Sequence, residues 1–353
     1  MQGREMENME LSVIGITMGD PAGVGPEIIV KALSDPRIFQ ICRPVVLGDQ
    51  GVISRVVQIL GLELTVNTVT NIRGERYQTG KINLLNLSHL DANAVAWGKP
   101  DERFGKAVVD YIKAGTKLAL DGEIEAITTA PINKEVINRA GYAYAGHTEL
   151  FAELTHTKDY VMMLTGEKLR VALVTTHCRL KDVADLLNTQ RIFTIIKVTN
   201  NSLKEYFAIS KPRIAVASLN PHGGEGGIFG DEEERIIIPA INRAKDAGID
   251  AVGTLPSDTL FYYASRGDYD VVVCMYHDQG LIPLKLLSFQ NAVNVTLGLP
   301  IIRTSVDHGT AYDIAGTGKA DPESLKNAIT LAASMANKRR KLSKDMSGNL
   351  KLC

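Results

Sequence analysis

Cysteine is scarce in this chain of 353 residues. Four occur (Cys42, Cys178, Cys274 and Cys353), and no two are spaced as CxxC. That leaves no framework for a disulfide-stapled fold or a thiolate metal knuckle, and it fits a reduced, cytoplasmic compartment. Cys178, directly after His177, is expected to be a small buried hydrophobe. Long apolar runs are missing too: none approaches the ~18 residues of a membrane span. The opening MQGREMENME has no apolar core and is not expected to act as a signal peptide. Excess charge of one sign is absent. The formal net charge is −1 and no basic stripe carries interleaved aromatics, so nucleic acid is not an expected partner. Neither GxGxxG nor a Walker GK[ST] ending occurs, and no internal repeat or low-complexity block interrupts the chain.

What is present is an ordinary globular composition, 45% hydrophobic and 22% charged, in a chain long enough for two domains or one large α/β domain. LSVIGITMGD (11–20) reads as a strand running into a polar turn, with Pro26 and Glu27 placed for the first turn of a following helix. PVVLGD (44–49), KINLLNL (81–87) and EAITTAP (125–131) read as further strands. Residues 100–120 read as a helix on the spacing of Phe104, Val108, Tyr111 and Leu118. Helical stretches such as 232–247 separate later strands, and a last helix starts near Asp321 with a basic segment, ANKRRKLSK, expected to be its solvated C-terminal end. Strands alternating with helices predict a mostly parallel sheet covered on both faces.

Three apolar runs end at histidines: VALVTTH (171–177), RIAVASLNPH (213–222) and YDVVVCMYH (269–277). Continuous Val, Ile and Ala read as strands buried on both faces. The carboxyl ends of parallel strands share one rim, where ligands bind. His177, His222 and His277 are therefore expected to meet. Three neutral imidazoles leave open positions on a divalent metal for a substrate oxygen. Any one of the three, taken alone, is an ordinary loop histidine.

Other motifs admit two readings each. TMGDPAGVGPE (17–27) is either a tight strand-to-helix turn or a set of backbone N–H groups for an anion. In AGHTELFAELT (145–155), His147 and Thr148 open a helix, where Thr148 reads as an N-cap and the free N–H groups suit a phosphate or carboxylate. SLNPHGGEGGIFGDEE (218–233) is expected to be a flexible loop closing over a ligand. Lys285, Asn294 and Arg303 follow His277; the two cations are either surface charges or phosphate and carboxylate partners. DHGTAYDIAGTGKADP (307–322) is either a connector or a loop around a nucleotide.

Together TMGDPAGVGPE, TTAPINKE, GHTELFAELT, VALVTTH, LNPHGGEGG, GTLPSDTLF and YHDQGLIPLK, in this order, resemble the 4-hydroxythreonine-4-phosphate dehydrogenase family over roughly residues 11 to 335. HGTAYDIAGTGKADP is similar to the cofactor loop of the wider isocitrate and isopropylmalate dehydrogenase superfamily. The resemblance implies an α/β fold of two α/β/α domains with a cleft between them. One domain is expected from 1–130 plus 305–353, with the cofactor loop, and the other from 131–304, with the metal and substrate residues and a dimer interface. It implies a divalent ion (zinc, magnesium or cobalt) at His177, His222 and His277, one per subunit. Substrate contacts fall at His147, Thr148, Lys285, Asn294 and Arg303, and NAD or NADP contacts at His308, Gly309, Ala311 and Asp313. Lys285, Asp258 and Asp278 are candidates for the base. The family is homodimeric with its site at the subunit interface, so the histidines are free to meet across two chains.

The implied reaction oxidises the C3 hydroxyl of 4-phosphooxy-L-threonine and then releases CO2 to give 3-amino-2-oxopropyl phosphate, in pyridoxine 5′-phosphate biosynthesis. Three alternatives stand beside it: a paralogue acting on phosphorylated D-threonate or D-erythronate, a phosphate-acyl or phosphoryl transferase of related fold, and a non-catalytic protein with a structural metal. Three histidines without a CxxC pair argue against the last.

Overall fold

In a computed structural model, which describes residues 11–144 and 146–349, strands and helices alternate along the chain. In chain order the strands are β1 (Val13–Thr17), β2 (Arg43–Gly48), β3 (Thr65–Thr68), β4 (Lys81–Asn86), β5 (Ala126–Thr129), β6 (Val161–Thr165), β7 (Arg170–Leu173), β8 (Ile214–Ala217), β9 (Ala251–Leu255), β10 (Val271–Cys274), β11 (Val293–Leu297) and β12 (Ile302–Ser305). The chain divides into two compact units. The first takes the described residues of Met1–Thr155 with Pro300–Asn337, and the second takes His156–Leu299 with those of Lys338–Cys353. The first break falls after the helix His147–Leu154, not near residue 130, because that helix packs on the helix Gly105–Leu120 of the same unit. His147, Thr148 and Arg303 therefore belong to the unit that also holds 307–322.

In the first unit the strand order is β3-β4-β2-β1-β5-β12, every pair parallel. β1 is VIGIT and is buried throughout, as expected of a central parallel strand. Gly19 follows it with φ +71, and a Cβ there would lie 2.3 Å from the Pro131 carbonyl oxygen, so both backbone conformation and space demand glycine. Pro26 and Glu27 do open the helix Gly25–Leu33.

In the second unit the order is β11-β6-β7-β10-β8-β9. β7, β10, β8 and β9 are mutually parallel, whereas β6 is antiparallel to both its neighbours. The short β6–β7 connection explains this: a parallel pair needs a crossover of a dozen or more residues, an antiparallel pair only a hairpin. The helix His277–Ser288 packs on β7 and β10 so closely that a Cβ on Gly280 would come within 2.8 Å of Cys274 Sγ. The last helix runs Glu323–Asn349, so the basic segment lies in its interior and is no C-terminal cap. There Arg339 pairs with Glu205 at 3.0 Å and Lys338 lies over the Phe207 ring.

Candidate functional site

In the second unit, β7, β10 and β8 are neighbours, and their carboxyl ends form one rim. The strands stop short of the histidines: β7 ends at Leu173, β10 at Cys274 and β8 at Ala217. The rings are placed by the turns that follow. Thr175 donates its N–H and its hydroxyl to the Met275 carbonyl, at 3.2 and 2.7 Å, which ties the His177 turn to the His277 turn. The two rings lie 5.6 Å apart between centroids, tilted by 44°. His277 is the first residue of its helix, and its Nδ1 lies 2.7 Å from Asp278 Oδ1. With Nδ1–H donating to that carboxylate, Nε2 is left as the acceptor nitrogen of the ring.

His222 stands apart. It sits in a turn where His222, Gly223, Gly224 and Glu225 all have positive φ. Its ring meets Phe229 edge-on at 6.2 Å, and its Nδ1 lies 3.8 Å from Glu225. The base of this turn is held by the buried Glu233 carboxylate, which accepts the N–H groups of Leu219 and Asn220 at 2.8 Å each. Among the described residues no three His, Cys, Asp or Glu side chains are grouped closely enough to hold a metal ion. The donor set thus fits a divalent ion through the His177–His277 pair, with His222 on the adjoining strand end and outside that pair. Cys178 is exposed, contrary to expectation, because it lies in the turn beyond β7.

Of the other residues in this unit, Asp258 is exposed in the first turn of the helix Ser257–Ser265. Asp278 is exposed beside His277. Lys285 is half-buried, with Nζ 5.9 Å from the Phe289 ring. Asn294, on β11, has a buried Oδ1 with no hydrogen-bond partner.

In the first unit, His147 is the first residue of its helix. Gly146 holds the N-cap position and makes no side-chain cap, so Thr148 lies inside the helix and does not cap it. Arg303, only 2% exposed on β12, donates to Thr129 Oγ1 at 2.8 Å and lies 5.7 Å from the Phe151 ring. Burial lowers the Arg303 guanidinium to about 9, against the pull of Glu149. His147 stacks on the same Phe151 ring at 6.3 Å. Burial, helped by Arg303 and Lys134, holds its imidazole well below the ordinary 6.5, and its Nε2 is out of solvent with no hydrogen-bond partner. A neutral imidazole and a buried cation around one aromatic ring make an anion-accepting corner. Lys134 and Thr129, within the TTAPINKE stretch, belong to this corner, although nothing in their spacing singled them out.

TMGDPAGVGPE and the 307–322 loop are stitched together in this unit. Tyr312 donates to Asp20 Oδ2 at 2.6 Å, and Val24 N–H donates to the Thr310 carbonyl at 2.9 Å. Glu27 accepts the Ala320 N–H at 2.9 Å, and Lys31 donates to the carbonyls of Gly318 and Ala320. Burial pushes the Asp20 carboxyl up, opposed by its Tyr312 and Ala22 hydrogen bonds. His308 and Asp313 lie on the solvent side of this loop. His308 Nδ1 is 2.9 Å from the Gly309 carbonyl, and Ala311 takes the left-handed φ of 41.

Comparison with known proteins gives the constellation its context. The family model of the pyridoxal phosphate biosynthetic protein PdxA matches residues 40–332. The 4-hydroxythreonine-4-phosphate dehydrogenase of Desulforapulum autotrophicum is 53% identical over 324 residues, covering 92% of this chain and 95% of that protein. The D-threonate 4-phosphate dehydrogenase of Salmonella typhimurium is 47% identical over 330 residues, 93% of this chain and 100% of that one. The crystal structure of 4-hydroxythreonine-4-phosphate dehydrogenase from Klebsiella pneumoniae superposes with a TM-score of 0.86 at 44% identity, covering 92% of this chain and 99% of that one. The fold is accordingly the α/β type of the isocitrate and isopropylmalate dehydrogenases, and the chain belongs to the PdxA family of pyridoxal phosphate biosynthetic proteins as a dehydrogenase.

Proposed function

We propose that this dehydrogenase oxidises 4-phosphooxy-L-threonine at C3 with NAD or NADP and releases CO2 to leave 3-amino-2-oxopropyl phosphate. The observation that carries the reading is the corner made by Arg303, His147 and Phe151, where a buried guanidinium and an imidazole whose Nε2 has no hydrogen-bond partner lie against one aromatic ring. With its proton on Nε2, neutral His147 donates to an anionic oxygen that also accepts from Arg303. Thr148 contributes from the same helix end, and Lys285 and Asn294 are further substrate contacts.

In the oxidation a side-chain base takes the hydroxyl proton, and a nicotinamide held at His308, Gly309, Ala311 and Asp313 would supply the acceptor for the C3 hydride, so that a ketone is left at C3. The carboxylate then leaves as CO2, its electron pair passes to the ketone oxygen, and a proton taken up at C2 restores the ketone of 3-amino-2-oxopropyl phosphate. Asp278, engaged with His277 Nδ1, orients that imidazole, which leaves Asp258 and Lys285 as proton acceptors. A divalent ion held by His177 and His277, with His222 as the third expected ligand drawn from the adjoining strand end, would supply Lewis acidity for the charge that develops on the substrate oxygen. The nicotinamide is assigned to His308, Gly309, Ala311 and Asp313. The family site at the subunit interface is met by pairing with a second copy.

The rival reading is oxidation of a phosphorylated D-threonate or D-erythronate, favoured by the 47% identical Salmonella typhimurium relative. Purified protein supplied with NAD, a divalent metal and each substrate in turn, followed by NADH absorbance, separates the two. Faster turnover of 4-phosphooxy-L-threonine is expected. Turnover of 4-phospho-D-threonate alone would overturn the assignment.

A further inference from the structure

We propose that Gln279 is a positioning residue, whose side-chain amide sets the relative places of the turns that carry the candidate metal ligands. The idea rests on the metal reading above and extends it to a residue that ligates nothing. Gln279 is only 6% exposed, two residues after His277. Its Oε1 accepts the Met275 N–H at 2.6 Å. Its Nε2 donates to the Ser218 carbonyl at 2.6 Å and to Ser257 Oγ at 2.9 Å.

These partners stand at the ends of three different strands: Met275 follows β10, Ser218 follows β8 and Ser257 follows β9. Met275 in turn accepts two bonds from Thr175, in the His177 turn after β7. Ser218 Oγ donates to the Asn220 carbonyl at 3.1 Å, in the turn that carries His222. One amide thus reaches the turns of His177, His222, His277 and Asp258. Both Nε2 protons are used, so no other side chain of similar size reproduces the pattern: a leucine makes none of the bonds, and a carboxylate repels the Ser218 carbonyl. Outer residues that orient metal ligands typically hold 10- to 100-fold in metal affinity (roughly).

The test is made on metal-free full-length protein, comparing the parent with Gln279→Leu and with Ser257→Ala, which removes one bond and leaves two. Zinc is titrated by calorimetry, the cobalt-loaded protein is read by visible absorption, and kcat and KM for NAD are measured. Gln279→Leu is expected to bind zinc ~10-fold or more weakly, to shift the cobalt bands and to lose kcat while KM for NAD holds. Ser257→Ala is expected to show the same changes, smaller. A folded Gln279→Leu with parental zinc affinity and cobalt spectrum overturns the proposal. If that variant does not fold, a parental cobalt spectrum and zinc affinity in Ser257→Ala overturn it instead. A parent that turns over substrate yet binds neither ion sinks the metal reading itself, and this inference with it.

Discussion

His147 enters the fold as a neutral imidazole because it is desolvated and lies near two cations, Arg303 and Lys134. The consequence for stability has a definite sign. In the unfolded chain the ring gains its proton near 6.5, and in the fold only well below that. Between those points the unfolded state holds the extra proton. Stability is therefore complete above pH ~6.5 and declines as pH falls through the window beneath, by up to about 1.4 kcal/mol per pH unit for one proton. His147→Gln removes this single contribution. Denaturant unfolding of parent and variant at about pH 7 and about pH 5 is expected to show a smaller loss for the variant. Parallel losses would mean that the ring takes its proton without cost in the fold. The same substitution removes a substrate contact, so kcat/KM is expected to fall while the acid limb of stability flattens.

At the scale of elements, the stitching of the first βα turn to the 307–322 loop decides what TMGDPAGVGPE does. Its glycines serve close backbone packing, as Gly19 shows against Pro131, and its Asp20 anchors Tyr312. Tyr312→Phe leaves a buried carboxylate without its hydroxyl donor, an expected cost of about 1–3 kcal/mol. It also frees the loop assigned to the nicotinamide, so KM for NAD is expected to rise more than KM for substrate. Adding Asp20→Asn is expected to recover part of the stability, since the buried charge left without its donor then goes. Additive losses in that double-mutant cycle would show that the two side chains are not coupled. The alternation of strands and helices was legible because buried parallel strands are written as local runs such as VIGIT and VVVC. β3, β6, β9, β11 and β12 were not singled out: TVNT, VMMLT, AVGTL, VNVTL and IRTS are four or five residues long, and all but VMMLT mix polar with apolar residues throughout, so neighbouring strands define them more than their own sequence does. Likewise the histidine pair was legible from strand ends, whereas the turn of His222 depends on Glu233, a long-range anchor that no local pattern announces.

At the scale of the whole molecule, the helix His277–Ser288 and its next residue pose a question of surface. Ile282, Leu286 and Phe289 recur at helical spacing and are 65%, 85% and 75% exposed, with Leu287 beside them at 47%. Large apolar side chains grouped on one helix face mark an interface more often than a solvated surface. The formal net charge of −1 offers little self-repulsion to keep copies apart. The same helix begins at His277 and carries Lys285, so a second copy seated on this face would shelter candidate site residues as it buried the leucines. Light scattering is therefore expected to give the parent twice the chain mass of 38.4 kDa. Leu286→Glu combined with Phe289→Glu places two charges in the contact and is expected to yield a monomer with its secondary structure kept. The melting temperature of the parent, but not of the double variant, is expected to rise with protein concentration, since association stabilises by mass action. Activity is expected to fall with the dimer. A parent that stays monomeric at every concentration, or a double variant that remains a fully active dimer, would remove this helix face from the interface.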